Sequence, residues 1–225
     1  LEAIAPAAES LAEDAPAAGA RGPLARIAAE ARRVRELVRD LAAFGRQGDA
    51  PGPGAAPLSV NAVVRRALAA RVPVAPDRVT AVEELGSELP PVVGVAADLE
   101  RALVRVLENA ERAVAETGGG TIRVRTYAAW RAEGDAASGA GMPEERVVIE
   151  VEDAGGGIPP LVLERIFDPF FTTRPGAAPG LGLSVVHGIV ARHRGVVRVS
   201  SRPGAGTRVC LEFPAARDWA AALLA

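Results

Sequence analysis

Apolar residues recur at intervals of three and four near the start of the chain, at Leu1, Ile4, Ala8 and Leu11 and again at Leu24, Ile27, Ala31, Val34, Val38 and Leu41. That spacing lays an apolar stripe along one face of a helix. Pro16, Gly19, Gly22 and Pro23 interrupt the pattern between the two runs, which predicts an antiparallel helical hairpin over residues 1–47. The stripe of so thin a structure needs a partner. A second copy completing a four-helix bundle is one solution, and the chain's own globular part is the other. Residues 48–57, with Pro51, Gly52, Pro53 and Gly54, read as a linker.

From there the texture changes. The pattern predicts a helix over Leu58–Ala70, a strand over Val79–Leu85, a helix over Asp98–Ala115 and a strand over Thr121–Tyr127. The long helix has Leu99, Ala102, Leu103, Val106, Leu107 and Ala110 on its buried face. Ala128–Glu145 is small and polar and reads as a loose connection to a strand at Val147–Glu152. A short helix near Pro160–Ile166, a glycine-rich loop, a helix over Leu183–His193 and strands at Val196–Ser200 and Arg208–Phe213 follow. Helices mixed with mostly antiparallel strands predict an α+β fold, a two-layer α/β sandwich over residues 58–214, with 215–225 as a tail.

Composition narrows the function. About half of the 225 residues are hydrophobic and the formal charge is −2 with both signs interspersed, so no basic stripe points to nucleic acid. Every cationic side chain apart from histidine is arginine, so phosphate contacts that lysine often makes fall here to arginine. Cys210 is the one cysteine, which excludes a disulfide framework within the chain, and its apolar neighbours read as core. The absence of a membrane-length apolar run or signal-peptide pattern predicts a cytoplasmic location. A first residue of leucine inside a helical pattern fits a piece of something longer, with a sensor or membrane portion upstream.

Three segments carry candidate chemistry. Asp153-Ala154-Gly155-Gly156-Gly157-Ile158-Pro159 follows a strand, where glycines let the backbone turn away from a carboxylate at a pocket mouth; an ordinary turn has the same look. Pro179-Gly180-Leu181-Gly182-Leu183-Ser184 opens a helix, where free N–H groups and the helix dipole favour an anion, although a glycine pair alone is a weak signal. Asn109 sits on the rim of the long helix's apolar face. Its amide oxygen suits Mg²⁺ arriving with phosphates, and a solvated mid-helix asparagine is the plain alternative.

Together, in this order, these segments resemble the catalytic domain of sensor histidine kinases in the GHKL ATPase superfamily. Leu103–Ala113 is similar to the N box, Asp153–Ile158 to the first glycine box, Ile166–Pro175 to the F box and start of the ATP lid, Gly180–Val190 to the second glycine box, and Gly204–Thr207 to the closing Gly-x-Gly-Thr element. The lid and F box look most like those of nitrogen-regulation-type kinases, and Val38–Arg46 resembles the second helix of their dimerisation and phosphotransfer domain.

The resemblance implies a Bergerat-type ATP-binding fold and a set of roles. Asp153 would accept a hydrogen bond from the adenine amino group, supported by Thr207, and Asn109 would hold Mg²⁺ between the phosphates. Gly155, Gly157, Gly180 and Gly182 would admit the backbone, and Ile158, Thr172, Leu181 and Leu183 would complete the nucleotide-contacting set. Phe167, Phe170 and Phe171 would seat the lid, or serve as plain core aromatics. Arg112 would reach a phosphate, or pair with Glu108 or Glu116, and Arg174 would replace a lid lysine. The whole protein would phosphorylate a histidine of its dimer and relay the group to a response-regulator receiver domain. That histidine would lie before Leu1, and His187 and His193 read as structural. The chain departs from the pattern at Arg105, where a second asparagine is common or, in hydrolytic relatives, a glutamate base that arginine cannot replace. The lid from Pro175 to Gly180 is short, with Pro179 where threonine is common. A docking module of the same fold and another GHKL ATPase or serine kinase are the rival readings.

Overall fold

The computed structural model describes residues 27, 31, 34, 52–71, 77–132, 143–174 and 180–217. Ile27, Ala31 and Val34 are helical; the remainder of the predicted hairpin, and with it any dimer contact, lies outside the described residues, as do Pro175–Pro179 of the lid and the tail beyond Arg217.

Among the described residues from 52 on, the elements in order are β1 (Ala56–Leu58), α1 (Val60–Ala70), β2 (Val79–Leu85), β3 (Val92–Gly94), α2 (Ala96–Glu116), β4 (Gly120–Ala132), β5 (Pro143–Asp153), α3 (Pro160–Leu163), α4 (Gly182–Arg192), β6 (Val196–Ser201) and β7 (Thr207–Pro214). Five strands form one sheet in the order β2-β4-β5-β7-β6, while β1 and β3 pair separately, Ala56 opposite Gly94 and Leu58 opposite Val92. Only β2 and β4 run parallel; the other neighbours are antiparallel. Helices α1, α2 and α4 cover one face, which makes the expected two-layer α+β sandwich.

The strand period of two explains which residues meet the helices. Ile122 and Val124 of β4, Val147, Ile149 and Val151 of β5 and Val209, Leu211 and Phe213 of β7 are buried with Leu99, Leu103 and Leu107 of α2. The same period places Cys210 on the opposite face with Arg208 and Glu212. The expected core cysteine is therefore corrected: Cys210 lies half-buried beside Glu150, and burial together with that carboxylate pushes its thiol up to about 11. It stays protonated and unreactive near neutrality.

Three boundaries also differ from the sequence reading. Leu58 belongs to a strand, so the chain enters a β layer two residues inside the stretch read as linker, and helix α1 starts at Val60. The Ala128–Glu145 stretch is not a loose connection throughout. It carries β4 on to Ala132 and starts β5 at Pro143, with Ala128 opposite Val147 and Arg131 opposite Glu144. The short helix ends at Leu163 rather than Ile166.

His193 joins the helices that carry the site. It is 2% exposed, and its Nε2 accepts the N–H of Val95, the residue that opens α2, at 3.1 Å. That bond fixes the tautomer, so Nδ1–H donates to the Ile189 carbonyl at 2.7 Å. The ring meets Phe213 edge-on, Gly94 packs against it, and the Asp98–Arg192 ion pair lies alongside. Burial outweighs the Ile189 bond and Asp98, and holds the ring below the usual histidine value. An unfolded chain takes up the proton below about pH 6.5 where the folded one resists it, so stability contributed above that value is lost as pH falls through it towards the folded value. Denaturant midpoints are expected to fall between pH 7 and 5, and His193→Gln to remove part of that fall. An identical pH dependence in the variant would rule out His193 as its source.

Candidate functional site

A cavity of about 600 Å³ opens between α2, the start of α4 and the helix-facing ends of β5 and β7. Asn109, Arg112, Asp153, Gly157, Ile158, Phe171, Thr172, Arg174, Gly180, Gly182, Leu183 and Thr207 all line it. Asp153 and Asn109, far apart in sequence, thus share one space. Two predicted members do not line it: Gly155 stands behind Asp153 against α2, and Leu181 is 1% exposed in the core. Leu181 is the residue before α4, and its side chain anchors the loop from beneath.

Asp153 ends β5 on the helix-facing side, in line with Ile149 and Val151, and is 7% exposed. Its Oδ1 accepts the Gly155 N–H at 2.9 Å. Burial pushes the carboxyl above the ordinary aspartate value, while backbone N–H bonds from Gly155 and Thr207 pull it partly back. Val151, Val209, Val106 and Ile166 give the cavity apolar walls near it. A desolvated acceptor between apolar walls favours a flat ligand that brings its own N–H donor.

Thr207 sits opposite Asp153 in the β5–β7 ladder and also lines the cavity. The proton inventory around it is complete. Ser201 Oγ donates its hydrogen to the Gly206 carbonyl and accepts the Ile158 N–H, both at 2.8 Å, so across the 3.0 Å contact between the two hydroxyls Thr207 must be the donor. Thr207 Oγ1 then offers lone pairs to a ligand. Ser201 was not legible as a functional residue, since in sequence it is one serine at a strand end.

Backbone geometry requires glycine at Gly206 and Gly180. Gly206 has φ +80° and a Cβ there would be driven into the Asp153 carbonyl oxygen; Gly180 has φ +72°, and a Cβ there would come within 2.6 Å of the Phe171 carbonyl oxygen.

An end suited to an anion lies at the start of α4. The first backbone bond of this helix runs from Val185 N–H to the Leu181 carbonyl, and no side chain caps it, so Gly182, Leu183 and Ser184 have no helical acceptor for their N–H groups. Asn109 faces this end, its Nδ2 3.9 Å from where a Gly182 Cβ would stand. Around it are three guanidiniums. Arg105 reaches Glu108 Oε2 at 3.0 Å, Arg112 lies 4.0 Å from the same oxygen, and Arg174 pairs with Glu116 at 2.7 Å. Arg112 therefore takes the Glu108 side of its two predicted partners. Among the described residues no group of three His, Cys, Asp or Glu side chains gathers to hold a metal. A divalent cation would rest on the Asn109 amide oxygen, ligand phosphates and water, the donor set Mg²⁺ accepts.

The three phenylalanines separate in role. Arg165 stacks over the Phe171 ring at 4.4 Å, and Phe167 contacts His187 at 5.3 Å. Phe170 has φ +64° and is 64% exposed, and what it presents to Gly180 is backbone.

Sequence and fold comparisons agree with this geometry. The chain is 37% identical over 190 residues to the sensor kinase CckA of Brucella abortus, covering 84% of this chain and 20% of CckA. It is 33% identical over 180 residues to the sensory histidine kinase/phosphatase NtrB of Rhodobacter capsulatus, covering 79% of this chain and 48% of NtrB. The chain thus spans less than half the length of each. In fold it is similar to full-length ShkA, crystallised in complex with AMPPNP, with a TM-score of 0.72 at 22% identity over 94% of this chain and 42% of that one. The family described as histidine kinase-, DNA gyrase B-, and HSP90-like ATPase matches residues 94–217, which include every residue lining the cavity, and the chain belongs to that family.

Proposed function

We propose that the cavity binds ATP with Mg²⁺ and that the chain is the catalytic region of a sensor histidine kinase. The observation that carries this reading is the shared cavity of Asp153 and Asn109, a desolvated acceptor at one end and an amide beside an uncapped helix start at the other. Asp153 accepts the adenine amino group, with Thr207 as a further acceptor on the same edge. Gly180, Gly182 and Leu183 bring peptide N–H groups to the phosphates, where the helix dipole adds to their attraction. Asn109 would hold the cation, which when bound would neutralise phosphate charge. Arg112 and Arg174 supply further positive charge, and Phe171 and Thr172 close the side from which the lid leaves. Phosphoryl transfer asks little covalent chemistry of the protein, so positioning and charge neutralisation account for most of the catalysis.

In the whole protein the acceptor is a histidine on a helical hairpin of a homodimer, and the phosphoryl group passes on to an aspartate of a response-regulator receiver domain. The CckA and NtrB likenesses support both steps. Residues 1–47 are proposed as part of that hairpin and 58–214 as the ATP-binding domain. No helix of the described residues is long and apolar enough to cross a membrane.

Calorimetric titration with Mg-ATP tests the first step, and adding a separate hairpin that carries the acceptor histidine tests the second. The expected product is acid-labile, base-stable phosphate on that hairpin. No heat at millimolar nucleotide would favour the docking module, and acid-stable phosphate on serine would favour the serine kinase.

A further inference from the structure

Asp153, Thr207 and Ser201 stand side by side at the ends of β5, β7 and β6, with Asp153 opposite Thr207 and Thr207 opposite Ser201 in the ladders. Asp153 and Thr207 line the cavity and are 7% and 8% exposed, whereas Ser201 reaches it only through its neighbours Ile158 and Thr207. The Ser201 hydroxyl is saturated. It donates to the Gly206 carbonyl, and its two lone pairs take the Ile158 N–H and the Thr207 O–H. The one hydroxyl proton of Thr207 is therefore held on the neighbouring strand, and the side chains of Asp153 and Thr207 offer a ligand lone pairs only.

We propose that Ser201 is a positioning residue that sets base specificity: by holding the Thr207 proton it leaves the Asp153 and Thr207 side chains able only to accept, which admits adenine and rejects a 6-oxo purine. This rests on the reading of the cavity as an ATP site with the base beside Asp153. The adenine amino group carries two N–H donors, one for each acceptor. Hypoxanthine and guanine present at the same edge one ring N–H and one carbonyl oxygen, so Asp153 finds a partner while the carbonyl meets the Thr207 lone pairs. A Thr207 hydroxyl free to turn would donate to that carbonyl and accommodate either base. Ser201 prevents the turn.

Kd for ATP and for inosine triphosphate, which differs from ATP only at that edge, is measured on the whole chain with excess Mg²⁺ by displacement of a fluorescent nucleotide. The parent chain is expected to prefer ATP by about tenfold to a hundredfold, the scale of leaving a buried acceptor unpaired. Ser201→Ala is expected to weaken ATP binding, because Ile158 loses its acceptor, and to lower the preference by about fivefold or more, because the freed Thr207 hydroxyl serves the carbonyl. Ser201→Cys fills the same space with a weaker acceptor and is expected to act in the same direction, whereas Ser201→Thr keeps the hydroxyl and with it the preference. In a Thr207→Val background, where no hydroxyl can turn, Ser201→Ala is expected to leave the preference as it stands. An equal loss of both nucleotides in Ser201→Ala and Ser201→Cys, with the preference intact, would mark a merely structural role and overturn the proposal. A parent chain that binds both nucleotides alike would do the same, as would a fall in preference that persists in the Thr207→Val background. A parent chain that binds neither nucleotide would overturn the ATP reading itself, and this proposal with it.

Discussion

Replacing Asp153 by asparagine will weaken ATP binding by about tenfold to a hundredfold, the scale of losing a hydrogen bond to a charged group, and leave the nucleotide-free protein no less stable. The two effects part because burial holds the Asp153 carboxyl above its ordinary value. An acid whose folded pKa exceeds its unfolded one binds its proton more tightly when folded. Its ionised form therefore costs stability, with no cost below the unfolded value of about 3.9 and the full cost above the folded value. Asparagine removes the charge and keeps an oxygen for the Gly155 N–H, so the strain is relieved while the proposed acceptor for adenine is weakened. The same sign predicts that ATP affinity in the parent chain declines as pH falls through the raised pKa, and that Asp153→Asn lacks this decline. Calorimetry across pH and a thermal melt without nucleotide read both quantities. Unchanged affinity would remove Asp153 from the adenine contact, and a large fall in the melting midpoint would mean the site had collapsed rather than lost one contact.

Legibility in the sequence followed physical periodicity. Leu99, Ala102, Leu103, Val106, Leu107 and Ala110 of the buried face of α2 were readable, because a helix 21 residues long repeats its 3.6-residue period many times, whereas buried Glu111 and Val114 were not named. Strands β1 and β3, with three residues each, give no room for alternation to register, and Pro57 inside β1 reads as a breaker. The far end of β4, Ala128-Ala129-Trp130-Arg131-Ala132, has no polar and apolar alternation, and none of residues 128–131 is buried; Trp130 is 68% exposed. Cys210 was misplaced for a related reason. In the run Val209-Cys210-Leu211 the eye sees three core residues, whereas the pleat allows only the first and third to face the helices.

The candidate site divides along the same line. Asp153, Asn109, Gly157, Gly180 and Gly182 belong to local patterns in which residue type and spacing carry the chemistry, and they meet in the cavity. Ser201 acts through partners at Ile158, Gly206 and Thr207 whose approach depends on the pairing of β6 with β7, and no local pattern encodes that. Gly155 and Leu181 belong to the right motifs but act one layer behind the lining, because a motif marks a stretch of backbone and the turn decides which side chains face the ligand.

Gly206→Ala carries the second large expected effect, a loss of roughly 2–4 kcal/mol in folding stability together with a fall in ATP affinity. Two costs combine. An L-residue at φ +80° is strained by about 1–2 kcal/mol. In addition, the new methyl would be driven into the Asp153 carbonyl, a backbone atom that can yield only if β5 or β7 moves. Asp153 and Thr207 face each other across those two strands, so any such movement separates the two acceptors proposed to grip the base. Gly204 provides the control within the same turn. It has φ +75°, but nothing lies within 4 Å of where its Cβ would stand, so Gly204→Ala meets the conformational cost without the clash. That variant is expected to lose about 1–2 kcal/mol and keep its ATP affinity. Urea midpoints and nucleotide titrations of the two variants separate the contributions. Equal losses in both would mean that the left-handed backbone accounts for the whole effect and that the contact with Asp153 adds nothing.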